Sequence, residues 1–399
     1  MDSPDSTLQT AFQMCQQGQF EQARPLLLQV LEHDPKELNA LQLLGTVAYQ
    51  GRDLEGAAAW YRRALAVEDE PTLHYNLALV LEDQHRLNEA EAEYRAALKR
   101  HPSFAPAWNN LGSVLRRKGL LQQAEQCYRR VLGFKPGVAG HHANLARVLQ
   151  DQGRRDEALA SYRRVLEIDP NDATARYMVA AFTGSENPAA PPSSYISSLY
   201  DHYAERYDQH LTQVLGYRVP EALRDLLAMF HEGSLETLDL GCGTGLSGLV
   251  LRDLSRRLVG VDLSQKMLDK AEGRGIYDAL VKSDIVEAMR SAPAAYDLLF
   301  AADVLMYLGD LEPVFAAAQA ALRPGGLFAF SVEHQEGERY KIQPTGRYVH
   351  EVRYVRQAAE QAGLSELAAS SVVLRHENGV PVQGDVFVFQ REGESSDEG

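Results

Sequence analysis

The stretch that decides the fold of this chain is Leu238-Asp239-Leu240-Gly241-Cys242-Gly243-Thr244-Gly245. The apolar run that ends here predicts a buried parallel strand, and a helical pattern resumes after the three alternating glycines. Glycines in such a strand–loop–helix turn let the backbone approach a ligand closely, because no Cβ stands in the way. The stretch therefore predicts a ligand site at the carboxyl end of this strand.

A second apolar run ends at Asp262, 17 residues after Gly245. A carboxylate at the end of a second parallel strand could accept hydrogen bonds from both hydroxyls of a ribose. A dinucleotide fingerprint would place its third glycine at position 246, which is Leu246. The two features together indicate a nucleoside-containing cofactor other than a dinucleotide.

Glycines at i, i+2 and i+4, with Asp239 two residues before the first, resemble motif I of the class I S-adenosylmethionine-dependent methyltransferases. Three more stretches resemble motifs of this family in the same order: Ser283-Asp284-Ile285, residues 297–303 and residues 322–328. The resemblance covers about residues 195–390. It implies an α/β, Rossmann-like domain that binds S-adenosyl-L-methionine, and we expect no metal site.

The resemblance also assigns residues to the cofactor. Gly241, Gly243 and Gly245 are expected to surround its methionine and ribose, Asp262 to bind the ribose hydroxyls, and Asp284 to accept from the adenine amino group. Three further residues of these motifs are expected at the cofactor: Asp239, Leu263 and Ile285.

Residues 195–211 are rich in tyrosine and histidine and resemble the N-terminal helices that fold over the cofactor in small-molecule and protein methyltransferases. Tyr200, Tyr203 and Tyr207 recur at i, i+3 and i+7, on one helical stripe. Such a stripe is often packing, but three buried hydroxyls would need partners. We therefore expect Tyr203 and Tyr207 to contact the cofactor or the substrate.

Residues 334–350 lack a clear period and follow the expected fifth strand, residues 327–333. A long segment of this kind inside a compact domain is typically a functional lid. Arg347 and Tyr348 are therefore candidate substrate contacts. His350 and His334 are candidate general bases, because histidine titrates near neutral pH, although either can be structural or merely exposed.

The place after the fourth strand holds Ala302-Asp303-Val304-Leu305. The Asn/Asp-Pro-Pro-Tyr tetrapeptide that marks methylation of planar amides and adenine is absent there, which argues against that chemistry. Asp303 could repel an acidic acceptor, or it could deprotonate an alcohol or amine. A carboxylate acceptor needs no base, so the acceptor atom stays open.

The first half of the chain repeats with a period near 34 residues. Small residues recur at Ala11, Gly45, Ala78, Gly112 and Ala146, and a second series follows twelve residues later. Aromatic residues lie four positions beyond that second series, and prolines close four of five repeats. These features resemble tetratricopeptide repeats, which stack helix pairs into a solenoid. We predict five repeats over about residues 4–170 and a capping helix over residues 173–182.

The fold class is thus multidomain, with an all-α solenoid in residues 1–182 and the α/β domain in residues 195–390. Residues 183–194 are rich in proline and predict a stiff linker. Residues 391–399 are charged and predict a disordered tail.

Position six of three consecutive repeats holds Asn76, Asn110 and Asn144. Amides 34 residues apart predict a ladder along the groove, which resembles the asparagine ladder of the O-GlcNAc transferase superhelix. We expect these amides to lack intramolecular partners and to bind a protein or peptide. Asparagine is also frequent at this position in such repeats generally, which favours a structural role.

The net charge is −15, and residues 183–399 carry 19 basic and 32 acidic side chains. Because this acid repels phosphate, a nucleic acid partner is disfavoured. The N-terminus lacks signal-peptide features, and no apolar run could span a membrane. Three widely separated cysteines are typical of reduced thiols, so we expect a cytoplasmic location.

The chain as a whole resembles predicted bacterial methyltransferases with N-terminal tetratricopeptide repeats. It is expected to methylate a protein, peptide or carrier-bound acceptor that the repeats recruit. The alternative is a small-molecule O- or N-methyltransferase whose repeats serve assembly. A module that only senses the cofactor is disfavoured, because no glycine or acidic ribose ligand is missing.

Overall fold

The computed structural model describes residues 4–204, 207–230, 233–337, 339–377 and 379–393, with the side chain of His202 excepted. The chain divides into two compact units, Met1–Pro170 and Asn171–Gly399. Residues 394–399 of the predicted disordered tail lie outside the described part. Within the described residues, every helix is too short or too polar to cross a lipid bilayer.

The first unit consists of five helix pairs, as the 34-residue period predicts. They are α1 (Pro4–Gln16) with α2 (Phe20–His33), α3 (Leu38–Gln50) with α4 (Leu54–Leu65), α5 (Pro71–Asp83) with α6 (Leu87–Arg100), α7 (Ala105–Arg117) with α8 (Leu121–Phe134), and α9 (Ala139–Asp151) with α10 (Arg155–Ile168).

Small residues are needed where the helices of a pair cross. A Cβ atom on Gly45 would lie 2.7 Å from the ring of Tyr61, and one on Gly112 would lie 2.8 Å from the ring of Tyr128. Both tyrosines are buried. The two periodic series of small and aromatic residues are therefore the two sides of one packing contact, repeated along the unit.

The second unit is built around a nine-stranded sheet. Its strands are β1 (Leu235–Leu240), β2 (Ser255–Asp262), β3 (Ala279–Lys282), β4 (Tyr296–Ala301), β5 (Leu322–Gln335), β6 (Tyr340–Ile342), β7 (Tyr348–Glu351), β8 (Leu364–Glu377) and β9 (Val380–Arg391).

The helices of this unit are α11 (Ala173–Thr183), α12 (Ser193–Tyr203), α13 (Tyr207–Gln209), α14 (Val219–Leu227), α15 (Leu246–Leu251), α16 (Gln265–Glu272), α17 (Ile285–Arg290), α18 (Glu312–Ala321) and α19 (Val352–Gln361). A π-helical segment (His210–Val214) follows α13, and a 3-10 turn (Leu305–Tyr307) follows β4.

The strand order is β3-β2-β1-β4-β5-β7-β6, while β9 pairs with β5 and β8. Strands β1 to β5 pair in parallel, and β9 runs antiparallel to β5 and β8. Helices cover both faces, with Phe315 of α18 on one side and Leu223 of α14 on the other. The carboxyl ends of β1, β2, β4 and β5 therefore lie along one edge, where ligands bind in such sheets.

Helix α11 belongs to the second unit, although the sequence predicted it as a cap on the repeats. Its Tyr177 hydroxyl donates to the carbonyl of Gly346 at 2.9 Å, and its ring lies 5.5 Å from that of Tyr195. The periodic pattern could not show whether α11 packs on the repeats or on the second unit, because an amphipathic pattern indicates only that one face of a helix is buried.

The predicted linker is also bound to the second unit. The Asn187 amide donates to the Tyr340 carbonyl at 2.8 Å, and its oxygen accepts from the Ile342 amide at 3.0 Å. The Pro188 carbonyl accepts from the Tyr348 hydroxyl at 2.7 Å. Residues 187–189 therefore act as a strap along the β6–β7 hairpin rather than as a free spacer.

Candidate active site

The glycine loop and Asp262 form the first part of the site. Gly241, Gly243 and Gly245 all have positive φ, at 64°, 53° and 91°, a region that side chains with a Cβ rarely adopt. The Asp262 carboxylate ends β2 and accepts from the Gly243 amide at 3.0 Å and from the Ser264 amide at 2.8 Å. Burial raises the pKa of Asp262 above its usual range. The loop and the carboxylate expected at the ribose are thus joined directly.

Asp239 lies beneath the same loop, fully buried on β1. The Tyr277 hydroxyl donates to its Oδ2 at 2.6 Å, whereas Oδ1 is buried without a partner among the described residues. Burial raises the pKa of Asp239 to about 7, although the Tyr277 hydrogen bond opposes this shift. This acceptor atom lies beneath the glycine loop and has no protein donor in the described part of the chain, so it is open to a donor from a ligand.

The second acidic motif lies on the next turn. Asp284 is the N-cap of α17, and its Oδ1 accepts from the amides of Val286 at 2.8 Å and Glu287 at 3.3 Å. Both bonds end on one oxygen, which leaves Oδ2 for the predicted adenine contact. Leu263 follows Asp262 directly, and Ile285 begins α17 and is buried.

The described residues of the tyrosine-rich segment include α12 and α13, and α13 contacts the glycine loop. Tyr207 begins α13, and a Cβ on Gly243 would lie 3.7 Å from its ring. Its neighbour Asp208 accepts from the Thr244 hydroxyl and from the Arg274 guanidinium. The contact between Tyr207 and the glycine loop supports the prediction that Tyr207 reaches the cofactor.

Tyr203 contacts Tyr207 edge-on, at 5.3 Å between ring centroids, and its hydroxyl bonds to Nδ1 of His210. Tyr200, the third member of the stripe, donates to the Tyr307 hydroxyl at 2.7 Å. Tyr203 therefore supports Tyr207, while Tyr200 links the segment to the turn after β4.

A buried group of charges lies beyond the end of β4. Arg375 of β8 is 2% exposed and donates to Asp303 at 3.1 Å, to Glu377 at 2.8 Å and to Glu333. Arg347 pairs with the same Glu333, 3.2 Å from its Nε, and also with Glu377. Burial alone would lower the pKa of Arg375, but the carboxylates outweigh it and raise that pKa.

Asp303 is held in a strained backbone conformation, with φ at 56°. Its amide donates to the Ser331 hydroxyl at 2.9 Å, and its side chain is buried against Arg375. Strain of this kind persists only where neighbours enforce it, and it is frequent at functional sites. The next residue, Val304, lies 2.6 Å from where a Cβ on Gly241 would stand, so Asp303 borders the glycine loop.

His350, a predicted general base, is fully buried in β7. Its Nε2 bonds to the carbonyls of Leu308 at 2.8 Å and Gly309 at 3.2 Å, and its Nδ1 is enclosed without a partner among the described residues. A base must reach the proton that it removes. The geometry therefore contradicts the catalytic interpretation of His350 and favours a packing role.

His334 and Tyr348 also differ from expectation. Nδ1 of His334 bonds to Asp385 at 2.7 Å, and on β5 its side chain alternates with that of Glu333 and so faces the opposite side of the sheet. Tyr348 is fully buried, with its hydroxyl on the strap carbonyl of Pro188. Alternation along β5 thus separates His334 from the charged group, and Tyr348 anchors the hairpin rather than facing a substrate.

Burial lowers the pKa of His350 to about 4, from about 6.5 when it is exposed. Between these two pKa values, His350 binds a proton in the unfolded chain but not in the folded chain. The stability contributed by neutral His350 is present above pH 6.5 and is lost as the pH falls through about 4. We expect protonation of His350 to lower the free energy of unfolding by about 3 kcal/mol, and we expect His350→Gln to abolish that loss.

The measurement is urea unfolding of wild type and His350→Gln between pH 7 and pH 4, read by hydrogen exchange at the strands of the second unit. Parallel pH profiles for the two proteins would contradict the assignment. Turnover at neutral pH should change little, because the imidazole contacts only protein groups.

The asparagine ladder of the repeats is partly occupied by its own neighbours. The Asn110 amide donates to the hydroxyls of Tyr75 at 3.2 Å and Tyr94 at 3.4 Å, and Asn144 donates to Asn109 at 2.9 Å. The expectation that these amides lack intramolecular partners is therefore wrong for Asn110 and Asn144. Asn76 has no hydrogen-bond partner among the described residues, and all three side chains are partly exposed.

Family models match both halves of the chain. Models of the tetratricopeptide repeat match residues 16–71, 75–139 and 142–172, and a model of a methyltransferase domain matches residues 238–330. This chain carries a methyltransferase domain after tetratricopeptide repeats. The predicted fold class and the predicted cofactor of the methyltransferase domain, S-adenosylmethionine, are confirmed.

Curated relatives of the methyltransferase domain include two bacterial enzymes. The malonyl-[acyl-carrier protein] O-methyltransferase of Serratia marcescens is 35% identical over 101 residues, 25% of this chain and 39% of that protein. The trans-aconitate 2-methyltransferase of Paracidovorax citrulli is 34% identical over 117 residues, 29% of this chain and 43% of that protein. The chain spans about half or less of the length of the curated relatives it matches.

Among solved structures, the 1,6-didemethyltoxoflavin-N1-methyltransferase of Burkholderia thailandensis is 18% identical. The match covers 52% of this chain and 93% of that one, at a TM-score of 0.42. A similarity this low supports no conclusion about substrate.

The residues of the methyltransferase domain fit its cofactor. The unpartnered Oδ1 of Asp239, the positive-φ glycines and the Asp262 carboxylate together offer acceptors and backbone room for a nucleoside that carries an amino acid. Five residues at this site were not predicted from the sequence: Asp208, Tyr277, Tyr307, Glu333 and Arg375. Arg375 had a signal, because it follows the apolar run Val372-Val373-Leu374 in a strand-like segment.

Proposed function

We propose that this protein transfers a methyl group from S-adenosylmethionine to a carboxylate on a carrier-bound or peptide acceptor, and that the repeats recruit the carrier. The observation that carries the proposal is a pair of arginines beyond β4 and β5, the buried Arg375 and the partly buried Arg347. A carboxylate acceptor needs a cation to bind it and no base to activate it. The described site offers arginine side chains as cations, and its histidines are not placed to act as a base.

Arg375 is saturated by its three carboxylates and acts as a fixed centre. Arg347 donates a hydrogen bond to Glu377 through Nη2, while its Nε lies 3.2 Å from Glu333 but is buried without a hydrogen-bond partner among the described residues. A guanidinium held in this way can bind an acceptor carboxylate through the remaining N–H groups. Arg347 is therefore the proposed acceptor contact, in agreement with its prediction as a substrate-binding residue.

The cofactor, when bound, supplies an activated methyl group on a positively charged sulfonium. The protein's part is then alignment of the acceptor with that methyl group, with water excluded. The Asp262 carboxylate and the glycine loop would hold the nucleoside, and Arg347 would hold the acceptor. Tyr207, which contacts the loop from α13, would separate both from solvent.

Two curated relatives support this choice of acceptor by their names. One is an O-methyltransferase of a malonyl group on acyl-carrier protein, and the other methylates trans-aconitate. The first of these acceptors is carried by a protein, which is the kind of partner that a repeat groove could recruit.

The test compares one acyl group in two settings, as malonyl-acyl-carrier protein and as a malonyl thioester of a short thiol. The full chain is incubated with each and with isotopically labelled S-adenosylmethionine, and methyl transfer is followed by mass spectrometry. We expect kcat/KM to be at least tenfold higher for the carrier-bound acceptor. Mild base should release the label as methanol, as it does from a methyl ester and does not from an N-methyl group.

Equal kcat/KM for the two acceptors would favour the alternative, a small-molecule O- or N-methyltransferase whose repeats serve assembly. That alternative draws support from the repeats themselves, since Asn110 and Asn144 already donate to neighbouring side chains. A base-stable label on the carrier protein itself would instead favour transfer to an amine, with Asp303 as the base.

The groove gives a separate prediction. Replacing Asn76, Asn110 and Asn144 together by alanine should raise KM for the carrier-bound acceptor about tenfold, because each lost amide contact costs about 0.5–1.5 kcal/mol and two amides are partly satisfied internally. The kcat and KM for the short thioester should stay near wild type. The control is Arg130→Ala, an exposed residue of α8. An unchanged KM in the triple variant would remove the asparagines from recruitment.

A further inference from the structure

Tyr277 occupies a slot that three glycines leave open beneath the glycine loop. It lies between α16 and β3. A Cβ atom on Gly245, Gly248 or Gly260 would stand 3.0, 2.6 or 2.9 Å from atoms of the Tyr277 side chain. Each of these glycines is therefore required by the ring, and the ring has little freedom to shift.

The backbone around Tyr277 is fixed on both sides. The Asp278 amide donates to the Leu258 carbonyl at 2.9 Å, and the Asp278 carboxylate accepts from the Leu258 amide at 2.7 Å. On the other side, Arg252 donates to the Ile276 carbonyl at 3.1 Å. A side chain whose backbone and ring are both fixed can position a partner accurately.

That partner is the Asp239 carboxylate, whose Oδ2 receives the Tyr277 hydroxyl while Oδ1 stays buried and unpartnered among the described residues. The other titratable groups that face Asp239 are Asp262 at the end of β2, Cys242 in the glycine loop and Tyr217 before α14. None of these groups brings a positive charge, so within the described structure the phenol is the one donor that supports the charged form.

We propose that Tyr277 is a positioning residue that keeps Asp239 ionised and leaves its Oδ1 for the ammonium group of the cofactor's methionine part. The inference rests on the cofactor of the proposed function and not on its acceptor. The ring would be needed even in a purely structural role, whereas the hydroxyl donates to Asp239 and accepts from the Gly248 amide.

Removal of the Tyr277 hydroxyl should shift the pKa of Asp239 in a definite direction. Burial raises the pKa of Asp239 to about 7, and the hydrogen bond from Tyr277 opposes that rise. Tyr277→Phe removes the hydrogen bond and should therefore raise the pKa of Asp239 further. A neutral carboxylic acid attracts an ammonium group far less than a carboxylate does. Cofactor affinity in the variant should therefore be lost near neutral pH and recovered at higher pH, as Asp239 ionises.

The experiment is calorimetric titration of the full chain with S-adenosylhomocysteine, which retains the ammonium group and requires no acceptor. We expect Tyr277→Phe to bind about tenfold more weakly than wild type at pH 6.5–7, and the two dissociation constants to converge by pH 8.5. Equal affinity at pH 7, or a loss that is the same at every pH, would overturn the proposal.

A double-mutant cycle separates positioning from packing. In an Asp239→Asn background, Tyr277→Phe should cause no further loss of affinity, because the charge that it supports is gone. An undiminished loss in that background would assign Tyr277 to packing and overturn the inference. Tyr296→Phe, which removes a hydroxyl from a buried tyrosine at the start of β4, is the matched control.

Failure of this inference and failure of the proposed function give different results. Wild type that binds S-adenosylhomocysteine but methylates neither thioester would refute the proposed acceptor and leave Tyr277 untouched. Wild type that shows no binding at all would refute both.

Discussion

Arg375→Met should lower the free energy of unfolding of the second unit by about 3–5 kcal/mol, the largest effect that we expect from one substitution. The change leaves Asp303, Glu333 and Glu377 buried around an apolar side chain, with only Arg347 still near two of them. Removing one partner of a buried ion network costs this much, because the remaining charges are left without compensation.

The measurement is urea unfolding read by hydrogen exchange at β4, β5 and β8. The matched control is Arg356→Met in α19, whose side chain is 51% exposed and paired with Glu366. An exposed pair contributes little, so the control should change stability by less than about 1 kcal/mol. Arg375→Met with the stability of the control would show that the network is not needed to hold β8 in place.

Asp262→Ala should weaken binding of S-adenosylhomocysteine by ten- to a hundredfold, which corresponds to about 1.5–3 kcal/mol for hydrogen bonds to a charged group. Two losses add here. The ribose hydroxyls lose their proposed acceptor, and the glycine loop loses the bond from the Gly243 amide to the carboxylate.

Calorimetry at pH 7.5 checks this prediction, with Asp253→Ala as the control on an exposed carboxylate that pairs with Arg224. Wild-type affinity in Asp262→Ala would remove this residue from the cofactor site. Tighter binding of NAD than of S-adenosylmethionine by wild type would contradict the cofactor itself.

The two predictions concern different halves of one site. The cofactor half depends on short-range features, namely a turn and the two residues that flank it. The acceptor half depends on β4, β5, β7 and β8, whose charged residues include partners that are 72 positions apart in the chain, Asp303 and Arg375.

The sequence predicted the local geometry of the cofactor half, with glycines at positions of positive φ and a carboxylate at the end of β2, because such features leave a local pattern. It also predicted all five helix pairs of the repeats, because close helix crossings demand small residues at a fixed period. The fifth strand was predicted over residues 327–333 and extends over Leu322–Gln335.

For the proposed acceptor half, the sequence named Arg347 and Asp303, which lie in the buried group of charges, and their roles stay predictions. It also assigned His334 and His350 as bases, because histidine titrates near neutral pH. A titratable side chain is a base only where its lone pair is reachable. His350 does not meet this condition, because it is buried and bonded to the carbonyls of Leu308 and Gly309. His334 faces away from the charged group, because side chains alternate along β5.

By itself, the sequence determined that repeats precede a methyltransferase domain and which cofactor that domain binds. Each of these follows from periods and spacings within one or two neighbouring elements. Only the tertiary structure decided that α11 and the strap at residues 187–189 belong to the methyltransferase unit, that His350 is enclosed, and that Arg375 joins three distant carboxylates. These outcomes depend on which distant surfaces meet, and burial and pairing between distant residues leave no period in the chain.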